Sequence, residues 1–141
     1  MKPDHSSRTK LIHAPISSGI IGCFYDVYNE LGYGFREYIY ARAMEIVLRE
    51  RGFTVEREFP IKVFFRGQQI GFHRCDMLVD KLVIVEFKST ELLPEAPKTQ
   101  TRNYLSAARL ELGMLLHFGP KPNYYRILGP IDSSRSEDRS G

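Results

Sequence analysis

The chain has 141 residues, 43% of them hydrophobic, and a formal net charge of +3 from 20 Lys and Arg against 17 Asp and Glu. That length and composition predict one domain with a packed core, and the small positive charge permits nucleic-acid binding without requiring it. No apolar run approaches the roughly 18 residues of a membrane span, and the N-terminus lacks the apolar segment of a signal peptide. We therefore expect a cytoplasmic protein with no membrane partner.

The two ends of the chain are polar and show no hydrophobic period. Residues 1–13 and 129–141 are predicted to be flexible tails around one domain that spans residues 14–128. Apolar side chains three and four residues apart then predict a helix over residues 15–31, which Gly32-Tyr33-Gly34 ends, and a second helix over about 36–51.

The apolar period changes to two after the second helix, which predicts strands. Four strands are expected over residues 53–59, 61–65, 70–79 and 82–87, with Pro60 separating the first two. A loop with two prolines leads to a third helix over about 98–110, and strands over 112–118 and 124–128 close the chain. Cys23 and Cys75 have no zinc-site spacing and are expected to be buried free thiols.

The strongest chemical signal is Glu86-Phe87-Lys88 at the end of an apolar strand. Residues two apart on a strand share a face, so Glu86 and Lys88 project together and Phe87 projects to the other side. Charged groups that follow a buried strand need partners. The simpler alternative is a surface salt bridge between Glu86 and Lys88, since Glu-x-Lys is a frequent tripeptide.

Asp76 lies on the preceding strand, ten residues before Glu86. A three-residue hairpin loop at Asp80-Lys81-Leu82 would set Asp76 opposite Glu86, with the two side chains on one face. A two-residue loop would set Cys75 opposite Glu86 instead and turn Asp76 away. The sequence leaves both loops open.

With the three-residue loop, two carboxylates would oppose each other, which is unfavourable unless a cation lies between them. Oxygen ligands of this kind favour Mg²⁺ or Mn²⁺, which would polarise a phosphoryl oxygen and acidify a bound water. Lys88 would then hold or deprotonate the attacking water and stabilise the developing negative charge. Asp76, Glu86 and Lys88 are therefore candidate site residues.

Three residues on the predicted helices are further candidates. Glu37 begins the second helix, where the helix dipole alone would favour an acid, or where it would reach the metal as a further ligand. Gln100 and Tyr104 share a face of the third helix, either exposed to solvent or leaning over the site toward water and phosphate. That helix is also basic, with Lys98, Arg102 and Arg109.

The histidines His5, His13, His73 and His117 show no ligand spacing. His117 is expected in the core. His73 lies three residues from Asp76, so regular alternation predicts that it faces the other side of the sheet. None of the four is assigned a role.

Taken together, these segments resemble a known family. Residues 34–40 read G-x-x-E-x-x-Y, with Gly34, Glu37 and Tyr40 at the specified positions. On this motif and on segments that follow in order, the chain resembles the small bacterial GxxExxY family of the PD-(D/E)XK nuclease superfamily. The other segments are residues 28–32, 51–58, 74–79, 83–88, 100–105 and 115–119.

This resemblance implies an α/β fold with a central mixed sheet flanked by helices, the restriction-endonuclease-like core. It implies a Mg²⁺- or Mn²⁺-dependent nuclease with Asp76, Glu86, the Phe87 carbonyl and Glu37 around the metal and Lys88 as catalytic residue. Gln100 and Tyr104 resemble the Q-x-x-x-Y helix motif of recombination-type exonucleases. The expected partner is nucleic acid, DNA in particular, bound by a monomer or a homodimer. The alternative is a catalytically silent nucleic-acid-binding or protein-interaction module.

Overall fold

The computed structural model describes residues 12–130. In chain order the elements are α1 (Ala14–Leu31), α2 (Glu37–Glu50), β1 (Val55–Phe65), β2 (Gln68–Val79), β3 (Val83–Lys88), α3 (Ala96–Ala108), β4 (Leu112–Phe118) and β5 (Pro122–Leu128). No helix in this part of the chain is long and apolar enough to cross a membrane. The predicted tails fall mostly on residues 1–11 and 131–141, which lie outside the described residues, as does His5.

The five strands form one sheet in the order β1-β2-β3-β4-β5. β3 and β4 are parallel and are joined through α3, whereas every other neighbouring pair is antiparallel. Helices α1 and α2 pack on one face of the sheet, and α3 packs on the other. The predicted fold class, a mixed sheet flanked by helices, is confirmed.

Prolines account for the two main errors in the predicted boundaries. The strands predicted on either side of Pro60 are one strand, β1, which pairs with β2 across Pro60. β1 lies at an edge of the sheet, where proline is tolerated because its missing N–H can face solvent. Pro97 lies in the first turn of α3, where a backbone N–H would have no partner within the helix, so the missing N–H of proline is tolerated there. The helix therefore begins at Ala96, before this proline.

A buried tyrosine organises the face covered by α1 and α2. The Tyr40 ring stacks on Phe118, with 4.0 Å between ring centroids. Its hydroxyl donates to the Gly32 carbonyl at 2.6 Å and accepts from the Phe35 N–H at 3.2 Å. Tyr40 thereby ties the turn between the two helices to the core and fixes the start of α2 at Glu37.

The second face of the sheet is covered by α3 alone. Leu105 of this helix packs against Ile84 and Leu115 of the central strands. Gly113 permits the close approach, because a Cβ there would lie 2.9 Å from Thr101 Cγ2 and 3.2 Å from Leu105 Cδ1. The helix that carries Gln100 and Tyr104 is therefore held tightly against the sheet.

Both cysteines are buried free thiols, as predicted, and they lie on opposite faces of the sheet. Cys23 lies on α1 and faces the core between the helices and the sheet, and Cys75 packs on the α3 side. Burial, with the negative charges of Glu86 and Asp76 adding to it, raises the pKa of Cys75 to about 12. The Cys75 thiol therefore stays protonated at neutral pH.

Candidate active site

The hairpin between β2 and β3 settles the register that the sequence left open. The ladder runs from Met77–Val85 to Val79–Val83, so the loop is the three-residue Asp80-Lys81-Leu82. Asp80 and Lys81 both adopt positive φ, at 51° and 59°. The three-residue alternative is the observed one.

The loop is held by its own aspartate, whose Oδ1 accepts from the Thr54 N–H at 2.8 Å. Continued by one residue, the ladder register sets Asp76 opposite Glu86. The ladder itself ends at Met77, because the Asp76 carboxylate takes the place of the next backbone bond. Its Oδ2 accepts from the Phe87 N–H at 2.7 Å.

The β1–β2 ribbon changes face at Asp76. Met77 packs under α1 and α2, whereas Cys75, only two residues away, packs under α3. Across the ribbon, Glu58 has a left-handed φ of 52°. The pairing of β1 with β2 passes from Arg57–Met77 to Phe59–Cys75, so Glu58 and Asp76 are not paired. A strand that alternated regularly would keep Cys75 and Met77 on one face. This local irregularity places the Asp76 side chain at the gap between β2 and β3.

Asp76, Glu86 and Lys88 come together at that gap. The pKa of Glu86 is raised to about 9, mainly by burial and then by the charge of Asp76 and a hydrogen bond with its carboxyl group, while Lys88 opposes the rise. The Glu86 side chain is only 13% exposed. Two carboxyl groups close together in a half-buried gap are unfavourable in their doubly ionised form unless a cation compensates their charge.

His73 belongs to the same cluster, and the prediction that it faces away was wrong. Its Nε2 lies 3.1 Å from Glu86 Oε1, and its ring stacks on Tyr104 with 4.0 Å between centroids and 7° between planes. The prediction assumed regular alternation between His73 and Asp76. The change of face at Asp76 breaks that alternation and turns His73 toward α3.

The His73–Glu86 contact is a hydrogen bond between neutral groups near pH 7. Burial lowers the pKa of His73, and Lys88 lowers it further, against the opposing effect of Asp76. Glu86 keeps its proton because its pKa is raised. The contact thus fixes the orientation of Glu86 without adding charge to the gap.

Glu37 reaches the end of β3 rather than the carboxyl pair. Its Oε2 accepts from the Ser89 N–H at 3.2 Å, directly after Lys88. On the other side of this segment, buried His117 binds the Thr90 carbonyl through Nε2 at 2.7 Å. His117 lies in the core, as predicted, and together with Glu37 it fixes the backbone that follows Lys88.

Gln100 and Tyr104 line an open groove of about 540 Å³ between α3 and β1. Tyr104 connects this groove to the cluster through its stack on His73. Gln100 is exposed, one turn earlier on the same wall. The arrangement gives an elongated ligand a path along α3 to the carboxyl pair.

The donor groups fit a hard divalent cation. Within residues 12–130, no three His, Cys, Asp or Glu side chains converge closely enough to hold a metal by themselves. Mg²⁺ does not require three, because it commonly takes one or two carboxylates and fills its other positions with water and substrate oxygens. Asp76 and Glu86 would supply that pair, and a cation between them would compensate their negative charge.

The side chain of Phe87 lies in the core, and its backbone lies at the candidate site. Its side chain packs in the core beside Phe118, with 6.2 Å between ring centroids. Its N–H binds Asp76, so its backbone lies beside the carboxyl pair. A metal contact through the Phe87 carbonyl stays a prediction.

Comparisons with known proteins identify the family and agree with the fold. A family model described as the PD-(D/E)XK nuclease superfamily matches residues 14–127. The crystal structure of SSO0001 has a similar fold, at 24% identity and a TM-score of 0.54. That similarity covers 71% of this chain and 55% of the other, so the chain spans little more than half of its length, and it shows the fold alone. No curated protein matches the chain. Because the family match covers residues 14–127, nearly all of the part of the chain that the structure describes, the chain belongs to the PD-(D/E)XK nuclease superfamily.

Proposed function

We propose that this chain is a metal-dependent nuclease that hydrolyses phosphodiester bonds in nucleic acid, DNA in particular. The observation that carries the proposal is the placement of Asp76, bound to the Phe87 N–H at 2.7 Å, next to half-buried Glu86 and Lys88, where the pairing of β2 with β3 ends. A carboxyl pair with a raised pKa and a neighbouring lysine is unfavourable for folding alone, and groups of this kind are concentrated at functional sites.

Asp76 and Glu86 are the residues that would hold Mg²⁺ or Mn²⁺, with the Phe87 carbonyl as a further oxygen donor. The cation, when bound, supplies charge stabilisation at a phosphoryl oxygen and a more acidic water. Glu37 accepts a hydrogen bond from the N–H of Ser89, the residue after Lys88. From this position it would contact the metal through a water molecule. Its bond to Ser89 keeps the end of β3 in place.

Lys88 shares the face of Glu86 and lies close enough to affect the pKa of both Glu86 and His73. In the proposed reaction its ammonium group orients the attacking water and stabilises negative charge at the phosphate. A fixed cation in a half-buried site does this without solvent reorganisation. Only the neutral amine form of Lys88 would accept the proton of the attacking water.

His73 is a positioning residue in this proposal. Its hydrogen bond to Glu86 and its stack on Tyr104 link the carboxyl pair to α3. Hydrogen-bonding partners of metal ligands commonly orient those ligands and tune their basicity. Tyr104 and Gln100 then face the groove, where a phosphate or an ordered water would contact them.

Three finer assignments belong to the same proposal. Within the superfamily we place the chain in the GxxExxY family, on the motif formed by Gly34, Glu37 and Tyr40. We assign it to the cytoplasm, where two free thiols would stay reduced. We also propose that it can form a homodimer, and light scattering of the purified protein, alone and with DNA, measures this directly.

The test is cleavage of linear duplex, circular duplex and single-stranded DNA in the presence of Mn²⁺ or Mg²⁺. Wild type is compared with Lys88→Ala and with the control Lys81→Ala, which removes an exposed lysine from the hairpin loop. We expect metal-dependent cutting by wild type and the control, and a loss of at least about 100-fold in Lys88→Ala.

Two outcomes would contradict the proposal. Cutting that survives in Lys88→Ala would mean that the activity comes from elsewhere. Binding of DNA by all three proteins, without cutting by any of them, would support the alternative of a silent nucleic-acid-binding module.

A further inference from the structure

The outer part of the β1–β2 ribbon extends beyond the rest of the sheet. β2 pairs with β3 only as far as Met77, so residues 60–65 and 68–74 pair with each other alone. We call this ribbon the outer arm. Its six steps from residue 74 to residue 68 span ~20 Å at the usual strand rise. Arg66 and Gly67, at φ values of 50° and 78°, close it with a tight two-residue turn.

The outer arm carries positive charge without any acid. No Asp or Glu lies between Glu58 and Asp76, whereas Lys62, Arg66 and Arg74 contribute +3, equal to the formal net charge of the whole chain. Within residues 12–130 none of these three cations makes an ion pair. Charge of this kind is complementary to a phosphate backbone.

Three phenylalanine rings lie among these cations and are open to solvent. Phe64, Phe65 and Phe72 are 59%, 56% and 57% exposed. Lys62 pairs across the ribbon with Phe72, so the two share a face. The Arg66 guanidinium lies 5.0 Å from the centre of the Phe65 ring, and that of Arg74 lies 5.8 Å from the centre of Phe72. Exposed rings alternating with cations form a stacking surface for unpaired bases.

The arm begins at the proposed site. His73 lies on the arm and contacts Glu86, and Val63 of the arm lines the groove along α3. The arm projects past the carboxyl end of β3, where Lys88 lies, because β2 and β3 are antiparallel. A strand of nucleic acid held at the carboxyl pair would therefore meet the arm at His73 and cross its edge to the opposite face, which carries Lys62 and Phe72.

Lys62, Phe64, Phe72 and Arg74 lie on one face of the arm, whereas Phe65 follows Phe64 directly and projects to the other. We propose that this face binds single-stranded nucleic acid, with Lys62 and Arg74 contacting phosphates and the rings of Phe64 and Phe72 stacking on bases. The proposal rests on the proposed function for the identity of the ligand and deepens it by naming a single strand, or the frayed end of a duplex, as the substrate. A duplex offers its phosphates but not the faces of its bases, and the exposed rings would then have no partner.

The first experiment measures binding of a labelled single-stranded oligothymidylate, and of a duplex of equal length, in the presence of a chelator. Phe64→Leu with Phe72→Leu keeps apolar side chains but removes two rings. We expect this double variant to bind the single strand about tenfold or more weakly and the duplex with little change. Tyr38→Leu, at a ring on α2 that is 60% exposed, is the matched control and should bind as wild type does.

The second experiment repeats the titration at several salt concentrations. Lys62→Gln and Arg74→Gln should each reduce the slope of log affinity against log salt by about 0.7, the value for one single-strand phosphate contact. Arg42→Gln on α2 is the control and should leave the slope unchanged. Equal slopes in all variants would overturn the phosphate contacts.

Other outcomes separate this proposal from the nuclease itself. Unchanged affinity of the double variant for the single strand would overturn base stacking. If the double variant also lost a dimer that wild type forms, the rings would instead contact a second copy of the chain. Hydrolysis of bis(4-nitrophenyl) phosphate with Mn²⁺ needs no arm, so wild type without that activity would contradict the nuclease and leave the binding result intact.

Discussion

The two halves of the β1–β2 ribbon are both rich in apolar side chains but have different surroundings. In the inner half, Val55, Met77 and Val79 are at most 5% exposed, whereas in the outer arm Phe64 and Phe72 are 59% and 57% exposed. The inner half is covered by β3 and by helices, and one face of the outer arm is open. Alternation therefore predicts a strand, but only the neighbouring elements decide whether its apolar face is core or binding surface.

The candidate site lies where one half changes into the other. At Glu58 and Asp76 the ribbon exchanges its faces, and the Asp76 carboxylate replaces a backbone bond to β3. The same irregularity turns His73 toward Glu86. The predictions below test this division of the ribbon, beginning with the largest expected change in stability.

Met77→Ala tests the buried half. Met77 is fully buried under α1 and α2, so truncation should lower the free energy of unfolding by about 2–5 kcal/mol, through lost burial and the remaining cavity. Chemical denaturation measures the change. A loss below about 1 kcal/mol would show that this half is not packed as described.

Glu86→Gln tests the junction in the presence of a chelator. The folded chain holds the Glu86 proton up to a pKa of about 9, and the unfolded chain loses it near 4.5. Wild type should therefore lose stability as pH rises between these values, because the unfolded state binds fewer protons. We expect the decrease in the free energy of unfolding over this pH range to be smaller in Glu86→Gln by on the order of 1–3 kcal/mol. Exposed Glu50→Gln is the control and should keep the wild-type pH dependence.

Glu58→Gly tests the change of face itself. At φ 52° a glutamate backbone is strained, so glycine should raise the free energy of unfolding by ~1 kcal/mol. Glu56→Gly, two residues earlier in the regular part of the ladder, should lower it by a similar amount. Denaturation curves for both variants check the signs, and two equal losses would argue against a left-handed residue at 58.

Phe72→Ala tests the outer arm and should have the smallest effect on folding. Its ring is more than half exposed, so the free energy of unfolding should change by no more than about 0.5 kcal/mol. The same denaturation measurement applies. A loss comparable to that of Met77→Ala would mean that the ring is covered by another part of the protein or by a second copy.

The sequence predicted most of the elements and the residues of the carboxyl pair. Periodicity identified all three helices, and the three-residue loop that chemistry favoured is the observed one. Pro60 misled the strand prediction because the sequence does not say which strand is at the edge.

His73 could not be found from alternation. Its place depends on a single irregular position, and a left-handed Glu58 leaves no compositional signal of the kind that glycine would leave. The available clue was the strand itself, in which Cys75 and the three residues 77–79 are all buried. A strand that is apolar on both faces around an aspartate does not alternate regularly. Spacing from that aspartate therefore does not predict which face a residue on its other side occupies.

The most direct test of the central claim is binding of Mn²⁺ to the carboxyl pair, measured by the thermal midpoint with and without metal. Wild type should be stabilised by about 2.7 kcal/mol at a hundredfold excess over the dissociation constant. Asp76→Asn should lose that gain. Asp80→Asn, which keeps an oxygen acceptor for Thr54 in the hairpin loop, should retain it. Equal stabilisation of all three proteins, or of none, would contradict a metal site at Asp76 and Glu86.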